Sequence, residues 1–172
     1  MGKAANSSIS LKQIHVTDNF WNKYVHLVKD VIIPYQWDIL NDKLEDVETS
    51  HCIENFKIAA GEKEGEFQGA VFQDTDVAKW LEAVGFVLNY ERDEKLEELA
   101  DETIELIGRA QQPDGYLNTY FTIKEPDGRW SNLMEGHELY TAGHMIEAAV
   151  AYYEATGKRR FLEIVSKFAD LV

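Results

Sequence analysis

The chain has 172 residues, of which 45% are hydrophobic, so a single packed domain or part of a larger one is expected. The formal net charge is −14 and no cluster of Lys and Arg interrupts it, so neither nucleic acid nor a membrane surface is an expected partner. A single cysteine, Cys52, excludes an internal disulfide and a multi-cysteine zinc site formed by this chain alone.

The N-terminal residues show no targeting signal. Residues 1–10 (MGKAANSSIS) lack the apolar core of a signal peptide, and Asn6 stands where a myristoylation signal has Ser or Thr. The apolar runs of the chain are too short to span a bilayer. We therefore expect a soluble, cytoplasmic protein, with residues 1–16 as a tail and extended lead and residues 17–172 as the folded region.

Hydrophobic periodicity predicts helices throughout and no strand. Asp18 is an N-cap candidate for the first helix, and Pro34 is expected to break or kink the helical pattern before it resumes toward Leu40. A short helix is predicted at residues 51–60, followed by a flexible connection at 61–70. Two helix pairs follow. The helices of the first pair have their apolar positions at residues 77–88 and 96–107. Those of the second pair are predicted at residues 138–155 and from residue 161 onward. A loop at residues 112–134 separates the two pairs.

The two helix pairs are related by an internal repeat. A shift of 65 residues aligns residues 81–83 (LEA) with residues 146–148 (IEA), and the turns between the helices also coincide. Such a repeat is typical of stacked or circular helical arrays. Polar residues recur in the first turns of both leading helices, which would place them at one end of an array, where a pocket can form. The final helix stops without a capping residue, so we expect the N-terminal part of a larger protein.

A polar and aromatic row at the start of the second pair is the main candidate site. Its members follow helical spacing and could line a cavity: His137, Tyr140, Thr141, His144 and Glu147. The alternative is a solvated helix face, although such faces favour Lys and Glu over His and Tyr. The two histidines are two turns, roughly 10 Å, apart along a helix. That distance is too long for one metal ion, which excludes chemistry of the HExxH type.

Two further groups have alternative interpretations. Asp74 and Asp76 diverge on a helix and cannot form a glycosidase acid–base pair with each other. Capping by Asp74 and pairing of Asp76 with Lys79 are the favoured roles. Four loop aromatics could stack on a sugar or anchor the loop, and composition does not distinguish these roles: Tyr116, Tyr120, Phe121 and Trp130.

An ordered set of motifs resembles glycoside hydrolase family 127, whose best-known members are β-L-arabinofuranosidases. The motifs are IPYQW from Ile33, FQDTDV and KWLE from Phe72, AQQPDGYL from Ala110, and HELY, GH and IEAAVAY from His137. The resemblance spans roughly residues 16–172. It implies an (α/α)6 barrel, of which this chain would form an incomplete, N-terminal portion.

The resemblance also implies the chemistry. Family members are retaining hydrolases with a cysteine nucleophile held near zinc by further cysteines and a glutamate, and a second glutamate serves as acid/base. All of these lie downstream of the region that matches this chain. Cys52 does not match the nucleophile, so the chain alone is expected to bind no zinc and to be inactive.

The resemblance further implies a carbohydrate substrate and a sugar-binding role for this chain. His137 matches a histidine that bonds the sugar, and four other candidates lie in matching motifs: Asp74, Asp76, Tyr140 and His144. In related sequences the segment that corresponds to residues 42–51 is longer and holds a sugar-contacting glutamine, so the resemblance assigns no matching contact to this shorter segment. Exposed barrel faces would favour self-association into a homo-oligomer. The alternatives are a non-catalytic helical-repeat module that binds a glycan or protein, and another (α/α)6 carbohydrate-active enzyme.

Overall fold

The computed structural model describes residues 9–172, so the first eight residues of the predicted tail lie outside the described residues. The helices are α1 Asn19–Leu27, α2 Ile33–Leu40, α3 Cys52–Ala59, α4 Asp74–Tyr90, α5 Glu94–Ala110, α6 Thr119–Ile123, α7 Glu138–Thr156 and α8 Arg160–Ala169. Short 3-10 turns occupy Leu11–Gln13 and Pro126–Gly128. Within residues 9–172 there is no strand, which confirms the all-α prediction. Over the same range, no helix is both long enough and apolar enough to cross a membrane.

Helices α1 and α2 form one continuous rod. The Asp18 carboxylate accepts hydrogen bonds from the Phe20 and Trp21 N–H groups at 3.0 and 2.8 Å, which confirms the predicted cap. Pro34 does not break the helix, because a π-helical segment, Val28–Ile32, immediately precedes it and joins the two helices. A widened turn of this kind is one way in which a helix accommodates a missing backbone donor.

The rod docks on α4 through tryptophan. The Trp80 indole N–H donates to the Ile33 carbonyl at 3.1 Å, and the Trp37 and Trp80 rings lie 4.5 Å apart between centroids. Trp80 is almost fully buried. The polar atom of this large side chain therefore has a partner, which removes the cost of burying it unpaired.

Helices α4 and α7, the leading helices of the two repeats, pack directly against each other. Gly85 makes this possible, because a Cβ at that position would lie 2.8 Å from the Ala151 carbonyl carbon. The buried face of α7 includes Thr141, Met145 and Ala148. Helical spacing predicts that Leu139, Val150 and Tyr153 pack together with Met145, but all three are exposed, so this predicted packing stripe is partly wrong. The close contact with α4 turns a neighbouring face of α7 inward instead.

Polar contacts around Lys158 join α5 to the second helix pair. The Lys158 ammonium lies 2.6 Å from Glu97 and 2.5 Å from Asp101 on α5. The Tyr152 hydroxyl donates to the other carboxylate oxygen of Asp101 at 2.7 Å. These contacts tie the turn between α7 and α8 to α5, so the two helix pairs form one packed unit.

The segment 61–70, predicted to be flexible, is held by a side chain. The buried Asn55 amide donates to the Gln68 carbonyl at 2.8 Å and accepts from the Gln68 N–H at 3.1 Å. Phe67 is buried beside Tyr120, with ring centroids 5.1 Å apart. The anchoring amide lies in α3, outside the segment, so the glycine content of the segment did not predict this contact.

Candidate functional site

An aromatic and imidazole row runs along the first turns of α7. The ring centroids of His137 and Tyr140 are 5.8 Å apart, and those of Tyr140 and His144 are 4.5 Å apart at 90°. The Lys79 ammonium of α4 lies 5.3 Å from the Tyr140 ring centroid. The structure thus brings together three of the predicted site residues and adds Lys79, which sequence reasoning did not single out as a site residue.

His137 has an unusual backbone conformation. It directly precedes α7 with φ at 52°, in the left-handed region that non-glycine residues seldom adopt. Its side chain makes no cap hydrogen bond, and the Phe72 ring lies edge-on to it at 5.3 Å. A strained backbone at such a position persists only when the surroundings hold it.

The surroundings of His137 include a fully buried carboxylate, Glu138. One oxygen accepts from the Tyr116 hydroxyl at 2.5 Å and the other from the Trp130 N–H at 2.8 Å. Burial, followed by the hydrogen bond to Glu138, raises the pKa of Tyr116 far above its ordinary value, so the hydroxyl stays a donor. The Arg129 guanidinium lies over the Tyr116 ring at 4.0 Å.

These contacts assign roles to part of the aromatic loop. Tyr116 and Phe121 are buried, so they anchor the loop rather than stack on a ligand. Sequence reasoning missed the role of Glu138, although the repeat aligned it with Gln73 among the polar residues of the first turns. Buried glutamates are uncommon, so the sequence pattern alone gave no reason to place this one in the core.

Asp74 is not part of the row, because its carboxylate is buried and bonds the loop at Thr119. Its carboxylate is 2% exposed and accepts from the Thr119 N–H at 2.6 Å and the Thr119 hydroxyl at 2.5 Å. Burial raises its pKa to about 6. The expected cap on its own helix is absent, since Gln73 occupies that position and makes no side-chain cap bond. Asp74 bonds the first turn of α6 instead.

Asp76 lines a cleft of about 290 Å³ between α2 and α4, together with Gln36 and Lys79. Its carboxylate accepts from the Gln73 amide at 2.7 Å. Burial raises the pKa of Asp76, and the Lys79 ammonium partly offsets this effect. The expected Asp76–Lys79 pairing is thus electrostatic, while the Lys79 ammonium makes its hydrogen bond, of 3.3 Å, to the Thr75 hydroxyl. Gln36 was not singled out from the sequence, although it lies within the IPYQW motif.

The shortened segment 42–51 closes on itself beside this cleft. Asp42, with φ at 55°, accepts from the Ser50 and His51 N–H groups at 2.7 and 2.9 Å. The Ser50 hydroxyl in turn accepts from the Gln73 amide at 3.3 Å. A short chain of polar contacts therefore links the closed segment to the start of α4.

The residues present do not fit the cysteine-bound zinc that the sequence resemblance implies. Cys52, the only cysteine of the chain, is fully buried and its thiol donates to the Gln73 carbonyl at 3.4 Å. Burial raises the pKa of this thiol well above its ordinary value, which opposes the thiolate that a metal needs. Within residues 9–172, one group of possible ligands has its atoms within 4.8 Å of one another: Glu82, His144 and Glu147.

Solved structures of carbohydrate-active enzymes share this fold. The chain is 65% identical to a GH127 β-L-arabinofuranosidase from Geobacillus stearothermophilus T6, with a TM-score of 0.90, over 91% of this chain and 25% of that one. It is 36% identical to a second GH127 β-arabinofuranosidase, with a TM-score of 0.85, over 95% of this chain and 26% of that one. The fold is therefore the N-terminal part of the helical barrel of a glycoside hydrolase, as predicted.

Sequence comparison gives the family. The profile of the GH127 catalytic domain of β-L-arabinofuranosidases matches residues 13–172. The non-reducing end β-L-arabinofuranosidase of Bifidobacterium longum subsp. longum is 42% identical over 173 residues, which cover 91% of this chain and 26% of that protein. The chain belongs to glycoside hydrolase family 127, which confirms the predicted resemblance. It spans about a quarter of the length of these relatives.

Proposed function

We propose that this chain forms one wall of the sugar pocket in a glycoside hydrolase that releases terminal β-L-arabinofuranosyl residues. The row of His137, Tyr140 and His144 carries the proposal. Sugar sites combine apolar ring faces with a few fixed polar groups, and this row offers both at one end of a helix. The similarity to GH127 β-L-arabinofuranosidases supports the choice of sugar.

Each predicted residue has a proposed part in this wall. The His137 imidazole bonds a sugar hydroxyl, the half-exposed Tyr140 ring packs against the sugar, and His144 extends the row. Asp76 accepts hydroxyl hydrogen bonds from the neighbouring cleft. Asp74 contributes from behind, by holding Thr119 and with it the loop.

The bond-breaking groups are proposed to lie in the rest of the enzyme. The cysteine nucleophile, the acid/base glutamate and the zinc ion implied by the resemblance have no counterparts among the side chains of the wall. Zinc, when bound, would hold the nucleophilic thiolate. The 172-residue chain alone is therefore proposed to be inactive. Cytoplasmic location stays a prediction.

Self-association also stays a prediction, and it is supported by an exposed aromatic face on α1. Phe20, Trp21 and Tyr24 pack on one another there, and Phe20 and Trp21 are each about 60% exposed. Apolar faces of this kind associate in water. Analytical ultracentrifugation of the chain and of a Trp21→Ser variant measures the effect, and a monomer at all concentrations would contradict it.

The test of function is hydrolysis of an aryl β-L-arabinofuranoside by the full-length GH127 enzyme that contains these residues. His137→Ala is expected to lower kcat/KM by roughly 10- to 100-fold, which corresponds to loss of one hydrogen bond of about 1–3 kcal/mol. His15→Ala, at an exposed histidine outside the row, is the control and should leave the rate unchanged. A kcat/KM for His137→Ala equal to that of His15→Ala would contradict the proposed sugar pocket. Turnover by the 172-residue chain alone would contradict the proposal that the bond-breaking groups lie in the rest of the enzyme.

A further inference from the structure

We infer that Glu138 is a positioning residue that fixes the direction of the His137 side chain. Only the effect of Glu138 on catalysis rests on the proposed sugar pocket. Glu138 is the first residue of α7 and follows His137 directly. It is fully buried, and both carboxylate oxygens are engaged by groups outside α7. Its two bonds connect the start of the helix to two different parts of the preceding loop.

The first bond closes a ring in the chain. The Glu138 side chain reaches back eight residues to the Trp130 N–H at 2.8 Å. Trp130 and His137, which stand at the two ends of the enclosed segment, both have left-handed backbone conformations, with φ at 62° and 52°. Because such conformations need support from their surroundings, a bond across the ring is well placed to hold both.

The second bond anchors the ring in the core. Tyr116, whose hydroxyl donates to Glu138, is fully buried, and its ring lies edge-on to Trp130 at 5.4 Å and to Phe168 of α8 at 5.7 Å. The carboxylate therefore links the start of α7, the loop and α8. A rigid link at this point leaves the His137 imidazole a defined place between Phe72 and Tyr140.

A carboxylate is the side chain suited to this position. It accepts two donors at once, whereas the amide of glutamine presents its own N–H groups to one of them. The position at the N-terminus of α7 also favours a negative charge, because the free backbone N–H groups there carry partial positive charge. Glu138→Gln keeps the shape of the side chain and removes its charge. The glutamine oxygen can accept from the Trp130 N–H while its NH₂ donates to the Tyr116 hydroxyl, so the bond to Tyr116 reverses direction and both bonds lose their charged acceptor and weaken.

The experiment follows the imidazole signals of the 172-residue chain, labelled at histidine, by NMR. Glu138→Gln is expected to shift the His137 signal by more than its linewidth and to leave the His144 signal in place. Glu147→Gln is the matched control on the same helix: its exposed carboxylate lies 3.6 Å from the His144 Nδ1, so it should shift His144 and leave His137 unmoved. Circular dichroism establishes that each variant is folded.

A second variant keeps the test decisive if Glu138→Gln does not fold. Tyr116→Phe removes one donor and leaves the carboxylate bonded to Trp130, so a smaller shift of the His137 signal in the same sense is expected. An unmoved His137 signal in the folded variants would overturn the inference.

In the full-length enzyme, Glu138→Gln should lower kcat/KM by roughly 10- to 100-fold, the scale of a misplaced contact group. This readout separates the inference from the proposed function. If His137 shifts in the variant but His137→Ala hydrolyses normally, the positioning role stands and the sugar pocket fails.

Discussion

The buried carboxylate of Asp74 can be replaced by a neutral group of the same shape, Asp74→Asn. The asparagine oxygen can accept from the Thr119 N–H, and its NH₂ can donate to the Thr119 hydroxyl, which accepts as well as donates. Both hydrogen bonds to α6 are thereby kept. What the substitution removes is a negative charge held at 2% exposure.

The folded-state pKa of Asp74, about 6, lies above the ordinary value of 3.8. Between these two values the unfolded chain loses its proton while the folded chain keeps it, so stability falls as the pH rises from about 4 to about 6. Above pH 6 both states are ionised and no further change follows. The full loss is about 3 kcal/mol, from 1.36 kcal/mol per pKa unit. Because hydrogen bonds to a charged group are stronger than those to an amide, we expect Asp74→Asn to gain about 1–2 kcal/mol at pH 8.

Urea unfolding of the wild-type chain and the Asn variant at pH 4.5, 6 and 8 measures this effect. The difference in unfolding free energy between the two proteins should grow toward pH 6 and then level off, since other titrating groups cancel in the difference. Asp127→Asn, at an exposed position, is the control and should show no comparable trend. A difference that is constant from pH 4.5 to 8 would refute the assignment of a destabilising buried charge to Asp74.

Four further substitutions test the packing. Gly85→Ala should cost about 1–3 kcal/mol in unfolding free energy, because the new Cβ meets the Ala151 backbone. Gly143→Ala is the matched control and should gain about 0.5–1 kcal/mol, because nothing lies within 4 Å of its Cβ. A gain in stability at both sites would contradict the close approach of α4 and α7. Tyr152→Phe should cost about 1 kcal/mol in unfolding free energy, measured by chemical denaturation, since the hydrogen bond from its hydroxyl to Asp101 is lost. No change in stability would show that the Lys158 contacts alone hold the turn to α5. Asn55→Ala should lower the free energy of unfolding by about 2 kcal/mol and accelerate tryptic cleavage after Lys63, because the Gln68 backbone N–H and carbonyl both lose their partner. An unchanged cleavage rate would show that Phe67 alone anchors the segment.

Local rules predicted most of the helices because their causes lie within a few residues. The Asp18 cap is set by bonds two and three residues away, and the ends of the two helix pairs were placed close to where the structure has them. The short helix α6 was missed, since five residues are too few to show a periodic pattern. Its local signal was present in Asn118, whose side chain accepts from the Phe121 N–H at 3.1 Å.

The site was predictable only where helix geometry sufficed. Residues three and four apart share a helix face, so the row from His137 to His144 could be placed without a structure. Burial could not, because it depends on which element packs against a given face. Thr141 belonged to the predicted polar row, yet it is fully buried. The partner of Asp74 lies 45 residues away and the two partners of Glu138 lie 22 and eight residues away, beyond the reach of any helix-period pattern.

The two buried carboxylates show how the loop and the repeat cooperate. The loop between the helix pairs is not part of the repeat, yet it is bonded at Thr119 by the first residue of α4 and at Trp130 by the first residue of α7. Each bond is made from the same end of a leading helix, where the row of His137, Tyr140 and His144 also lies. Because α4 and α7 pack rigidly on each other, two bonds are enough to fix the loop relative to that row. The Asp74 carboxylate, whose burial costs stability, therefore helps to fix the loop beside the proposed wall of the sugar pocket.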